Sequence, residues 1–274
     1  MTIPAGRHQY SPIIPLDAAI SIIILLQNTV ANSSLQEYTS NEDMEKIARK
    51  RAIELAAAGD LSGYDLAEID MHGLDLSAVL LTGSLLNHAN ISKAILVGAE
   101  LLGCELIAAN MSVSNLTKAT LQKCNLAKAD LNFSILIGAN LEGAVLAESN
   151  LSLSNLSCAV LRHADLRGAN LQQAEASGAD FSGSQMRKVN AYGSNLAGSN
   201  LAAADMRECI LTKSDLTAAD LSGANMKDSE LINVNFTAAN LTNADLRGTK
   251  LLGSTFSRAK LEGAKFDEGI QRPL

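Results

Sequence analysis

The sequence predicts an all-β solenoid, and three observations carry that prediction. A large apolar residue occupies every fifth position from Leu61 to Phe266. Of these 42 centres only Ala176 and Ala191 are not Leu, Ile, Met or Phe. Two positions before each centre the side chain is small: from Ser84 to Ala264 that slot holds only Ala, Ser, Cys, Val or Thr. The slot just before the centre is mostly Asp or Asn, as in KADLNF, IGANLEG, RHADLRGANLQQ and TAADLSGANMKD. A period of five fits neither a helix nor a flat strand. On a helix, centres five apart would rotate by about 140° per step and wrap the whole cylinder. On a plain strand, odd spacing would send them to alternate faces. Short extended sides joined by corners aim every centre inward, and such sides close into a coil.

Tandem A(D/N)LXX over about three quarters of the chain resembles the pentapeptide-repeat family. The resemblance implies a right-handed quadrilateral β-helix, with four pentapeptides per square coil and about ten coils in all. At ~4.8 Å per coil the rod would be roughly 50 Å long. Centre and small slot are then both expected to face inward. Only Ala-sized neighbours fit beside four leucines at the density of a protein interior. Ala176 and Ala191 are expected to leave thin spots or hold a buried water.

Residues 1–59 read as an arm and two helices. Pro4, Pro12 and Pro15 mark an irregular start. Asp17 suits the N-cap of an apolar helix over 17–28, whose run Ala18 to Leu26 is too short for a bilayer that needs about 20 residues. Membrane insertion is therefore not expected. The same run fits a signal peptide, with TVA at 29–31 as a cleavage site, and residues 1–31 would then direct export. Against export, only Arg7 supplies positive charge ahead of the run, and Asp17 abuts it, so a cytoplasmic chain is expected. A second helix is expected over 42–58. Ser40 or Asn41 can cap it, Glu42 and Asp43 suit its first turn, and Met44, Ile47, Ala48, Ala52 and Leu55 recur at helical spacing before Gly59. It leads into a first coil whose small slots are instead Tyr64, Ile69, Leu74 and Val79. The sequence thus places an N-terminal α-helical cap over an open sheet edge. Residues 60–268 are the repeat and 269–274 a tail too short to cap the other end. Relatives in the resembled family dimerise there, so a homodimer through the C-terminal coils is expected.

Residues twenty apart stack on the outside of such a coil. One column is basic: Arg167, Arg187, Arg207, Lys227 and Arg247, with Asp165, Asp205 and Asp245 two residues before alternate members. Salt bridges are expected to offset the repulsion along it; an anion-binding stripe is the alternative. A second surface is apolar. Val113, Phe133 and Leu153 stack at one corner, beside outward positions Ile95, Val97, Ile135 and Ile137. Such a patch marks a contact, with the apolar 17–28 helix, a copy or another protein.

Signatures of catalysis are absent. No P-loop, GxGxxG, GxSxG, HExxH or CxxC occurs. His8, His72, His88 and His163 are scattered, and Cys104, Cys124 and Cys209 fill inward small slots as core thiols. No catalytic, cofactor or metal site is expected, because a rod filled with leucine has no cleft. A net charge of −7 argues against general nucleic-acid binding. The expected function is a non-catalytic protein-interaction scaffold for an unknown protein partner. The resemblance supplies an alternative, a DNA mimic acting on DNA gyrase, and an exported or membrane-associated protein is a second.

Overall fold

The structure, a computed structural model, describes residue 50 and residues 52–268. Parallel bridges join residues twenty apart, from Asp60↔Leu80 to Asp245↔Lys265. They fall into four walls. Wall 1 carries the bridge positions Asp60 to Lys260, wall 2 Asp65 to Lys265, wall 3 Asp70 to Lys250 and wall 4 Asp75 to Thr255. Each coil is therefore four pentapeptides, and the chain is a β-solenoid.

The backbone explains the five-residue unit. In the first one, the centre Leu61 donates its N–H to Leu80 O of the next coil, at 2.7 Å, and Leu80 N–H returns to Gly59 O at 2.9 Å. Gly63 N–H reaches Thr82 O, and Tyr64 N–H closes a turn on Leu61 O. The third residue of that turn has positive φ at every corner from Gly63 to Gly263. With φ positive at that position alone, each corner is a type II turn. One amide per unit is left over, and the slot before the centre takes it. Every Asp or Asn at a bridge position accepts the N–H two residues on, as Asp60 does from Ser62 (3.0 Å), Asn150 from Ser152 (3.2 Å) and Asp220 from Ser222 (2.9 Å). This is an Asx turn, and it is why the repeat favours Asp and Asn there.

Centres and small slots fill the interior. From Leu61 to Leu246 every centre is buried, and so is every small slot from Val79 to Thr249. Ala176 and Ala191 are fully enclosed, and Phe181 between them, larger than the usual leucine, returns part of the lost volume. Polar small-slot side chains bond to backbone: Cys104 Sγ donates to Leu81 O and Cys124 Sγ to Leu101 O, both at 2.7 Å. Among the described residues Ser184 and Ser199 bury hydroxyls without a partner; they lie in the coils of Ala176 and Ala191.

Residues 50 and 52–58 are helical. Ala52 and Leu55 are buried in the same apolar cluster as Leu61, and Ala56, Tyr64, Ile69 and Leu74 pack against it. Gly59 follows at φ +76°, a left-handed stop that suits glycine. The expected arm, the apolar helix over 17–28, residues 42–49 of the second helix and the tail 269–274 lie outside the described residues. At the other end Leu251, Leu261 and Phe266 are only half-buried, and Leu252 is 78% exposed.

Candidate interaction surface

The outward columns are the variable surface along such a rod, so the candidate site is built from them. Val113, Phe133 and Leu153 occupy the corner between walls 3 and 4, one per coil, with Val113 51% and Phe133 54% exposed. Beside them wall 4 alternates by coil. Ile95 and Val97 form one apolar rung, Asn115 and Thr117 a polar one, Ile135 and Ile137 the next apolar one, and Asn155 and Ser157 another polar one. Ile95, Ile135 and Ile137 are exposed and Val97 is half-buried. All seven residues of the sequence-derived patch thus share one face.

The corner column carries a second cost. Its three residues have φ of 59°, 54° and 58°. Corners elsewhere take Gly, Ala, Asn or polar side chains. Among the described residues Val113 is the only β-branched one at positive φ, and Phe133 and Leu153 are the only phenyl and leucyl ones. Left-handed geometry costs an L-residue roughly 1–2 kcal/mol, and a β-branched or bulky side chain there is an outlier. Exposure and strain coincide in three consecutive coils.

The basic column runs along wall 2, opposite wall 4. Arg167 makes a two-pronged pair with Asp165 (2.8 and 2.6 Å), Arg207 with Asp205 (2.7 and 2.6 Å), and Arg247 with Asp245 (2.9 and 2.7 Å). Arg187, whose own bridge residue is Gln185, pairs with Glu208 from the next coil, and Lys227 reaches Asp245 at 3.3 Å. Each cation of the column is matched. The hydrogen bond from its arginine comes first among the causes that hold each of Asp165, Asp205 and Asp245 below the usual carboxylate range. A shallow notch over Gly168 is lined by Glu148, Arg167, Arg187 and Lys188. Exposed pairs of this kind contribute about 0–1 kcal/mol each.

Two core thiols are held in their protonated form. Burial pushes the Cys209 thiol up to about 12, and the Cys124 thiol is raised by its hydrogen bond with Cys104 and by burial, so both stay protonated. The described residues hold no group of His, Cys, Asp and Glu arranged for a metal, and no helix long and apolar enough to cross a membrane.

Sequence reading missed the outward Leu102, Val145, Ile210 and Leu252, all exposed. Their signal was present: an apolar residue in a slot flanking the centre.

A family model described as pentapeptide repeats matches the chain in eight copies, over residues 75–112, 84–122, 124–153, 154–190, 192–228 and 229–267. No curated protein matches by sequence. Among solved structures the chain is similar to HetL, a pentapeptide repeat protein involved in heterocyst differentiation regulation from the cyanobacterium Nostoc sp. strain PCC 7120. The identity is 26% over 79% of this chain and 96% of that one, with a TM-score of 0.37. It is also similar to QnrB1, a plasmid-mediated fluoroquinolone resistance protein, at 19% identity over 73% and 92% and a TM-score of 0.39. A third is a pentapeptide repeat protein from the thylakoid lumen of Arabidopsis thaliana, at 22% identity over 61% and 72% and a TM-score of 0.27.

Proposed function

The chain belongs to the pentapeptide-repeat family, and from that premise we propose that it is a non-catalytic protein-interaction scaffold whose contact surface is the apolar face of wall 4. One observation carries this reading. Val113, Phe133 and Leu153 are both exposed and strained, and nothing in the rod's own packing rewards either. Every corner needs this backbone, but not a bulky side chain on it, and strain retained without need points to a functional site. The scaffold itself is a rod of about ten square coils, closed at its N-terminal end by the helix before Gly59. The twenty-residue register and the burial of Ala52 and Leu55 support that description. Half-buried Leu251, Leu261 and Phe266 support a homodimer through the C-terminal coils, which light scattering tests. Free thiols at Cys104, Cys124, Cys158 and Cys209 support a cytoplasmic location.

The test is affinity capture with the full-length protein and with the variant F133N/I135N/I137S. These changes install residues that the repeat already uses at corners and walls, so the fold is kept. A partner retained by the native protein and lost by the variant is expected; identical captures would overturn the reading. The gyrase alternative draws on the net charge of −7. The paired ladder on wall 2 interrupts any acidic face, so no inhibition of gyrase supercoiling is expected at micromolar protein. Inhibition would favour the mimic.

A further inference from the structure

We propose that the apolar face of wall 4 is occupied by the chain's own N-terminal segment, residues 16–28. This rests on the same reading of the face as a docking surface, and it names the occupant. The bare apolar area is on the order of a few hundred Å², at the upper end of what a monomer leaves exposed. The sequence contains one apolar run outside the repeat, Ala18 to Leu26, and it lies on the N-terminal side of the rod.

Position favours this segment over other occupants. The face spans Ile95 to Leu153, beginning about two coils from the first bridge at Asp60. At ~4.8 Å per coil its far edge is roughly 20–25 Å from the N-terminal end. Twenty-one residues, 29–49, separate the segment from the described helix. At up to ~3.3 Å per residue that length reaches any part of the face.

The pattern of the segment fits as well. On a helix over 17–28, Asp17, Ser21 and Asn28 fall on one side. Ala19, Ile22, Ile23 and Leu26 fall on the other, while Ile24 and Leu25 border the polar side and Gln27 borders the apolar one. A helix with this little polar surface needs an apolar face to cover it. The two apolar rungs, Ile95 with Val97 and Ile135 with Ile137, are two coils apart, about 9.6 Å. Residues seven apart on a helix rise about 10.5 Å. Ala19 with Leu26 can therefore sit on the two rungs while the helix passes over Asn115 and Thr117. The Val113, Phe133 and Leu153 ridge walls one flank. No face member is charged, and Asp17 is the segment's one charge, on its solvent side.

The consequence is a face that a partner reaches by displacing the segment. Hydrogen exchange on the full-length protein tests the docking directly, because it needs no partner. We expect exchange across residues 16–28 to be slowed at least tenfold, equally at all protein concentrations. In F133N/I135N/I137S the slowing is lost while the melting temperature of the rod stays within a few degrees. Ile23→Asp, which lies outside the rod and leaves its fold alone, removes the slowing as well. Free exchange in the native protein, or slowing that survives both variants, overturns the proposal. So does slowing that appears only with a dimer, which assigns the face to a second copy, or only with added zwitterionic phospholipid vesicles, which assigns the segment to a membrane. A failed capture with intact slowing would sink the partner reading alone, and a successful capture with free exchange would sink the docking alone.

Discussion

At the level of single residues each position of the pentapeptide has one physical task. The bridge Asp or Asn accepts the one amide that the coil-to-coil ladder leaves out, and some also stack. Asn150 accepts from Ser152, donates to Asp130 at 3.0 Å and accepts from Asn170 at 3.2 Å. Asn150→Ala is therefore expected to lower unfolding free energy by about 1–3 kcal/mol, measured by urea denaturation, because it strands partners on three sides. A loss below a few tenths would mean water replaces the side chain. Leu141→Ala in mid-rod should cost about 2–5 kcal/mol, since the coils above and below prevent collapse. Leu251→Ala, at a half-buried end, should cost clearly less in the same measurement. The centre and the small slot were legible in the sequence because burial tolerates few side chains. The Asx role was not, because the period shows which residue recurs and not which amide it serves. The strain at Val113 was likewise hidden until φ was known.

At the level of walls and helix, the same twenty-residue register aligns both ladders, but with opposite outcomes. Wall 2 neutralises itself: Arg or Lys in every coil from 167 to 247, carboxylates in reach of each. Asp165, Asp205 and Asp245 have pKa values depressed from 3.8 in the folded state, chiefly by hydrogen bonds from Arg167, Arg207 and Arg247. Depressed carboxylates stabilise the fold above the unfolded pKa, and that contribution fades as pH falls through the folded values. The melting temperature should thus drop between pH 5 and pH 2, and drop less in D165N/D205N/D245N. Equal acid sensitivity in both would remove the ladder from the account. The column was legible from spacing alone, and so were the Asp partners two residues before. The pairing of Arg187 with Glu208 was not, because Gln185 breaks the local pattern and the partner comes from a neighbouring corner. At the N-terminal end, Ala52 and Leu55 were readable as one apolar stripe of a helix. Leu55→Glu should let the first coil, from Asp60 to Leu80, exchange its amides faster than coils from Asp130 onward. Uniform exchange would show that the helix does not hold that end.

At the level of the whole molecule, interior and exterior are decoupled. Each coil bonds only to its neighbours, so outward substitutions in the wall leave the core intact, and the rod can carry any surface along its length. This chain places its apolar face on wall 4 in the N-terminal half and its paired charges on wall 2 in the C-terminal half. The fold was readable because one rule repeats from Leu61 to Phe266. The proposed contact surface was readable only where the sequence departs from that rule. The partner's identity is not encoded in such departures, because an apolar face specifies chemistry and shape and no name. The most direct measurement of the central claim is photo-crosslinking in cells from two positions at similar height, Phe133 on the apolar corner and Ala147 on the opposite wall. A probe at 133 should give a discrete adduct with another protein, and a probe at 147 should not. Adducts from neither position, or the same adducts from both, would contradict a scaffold that works through this face.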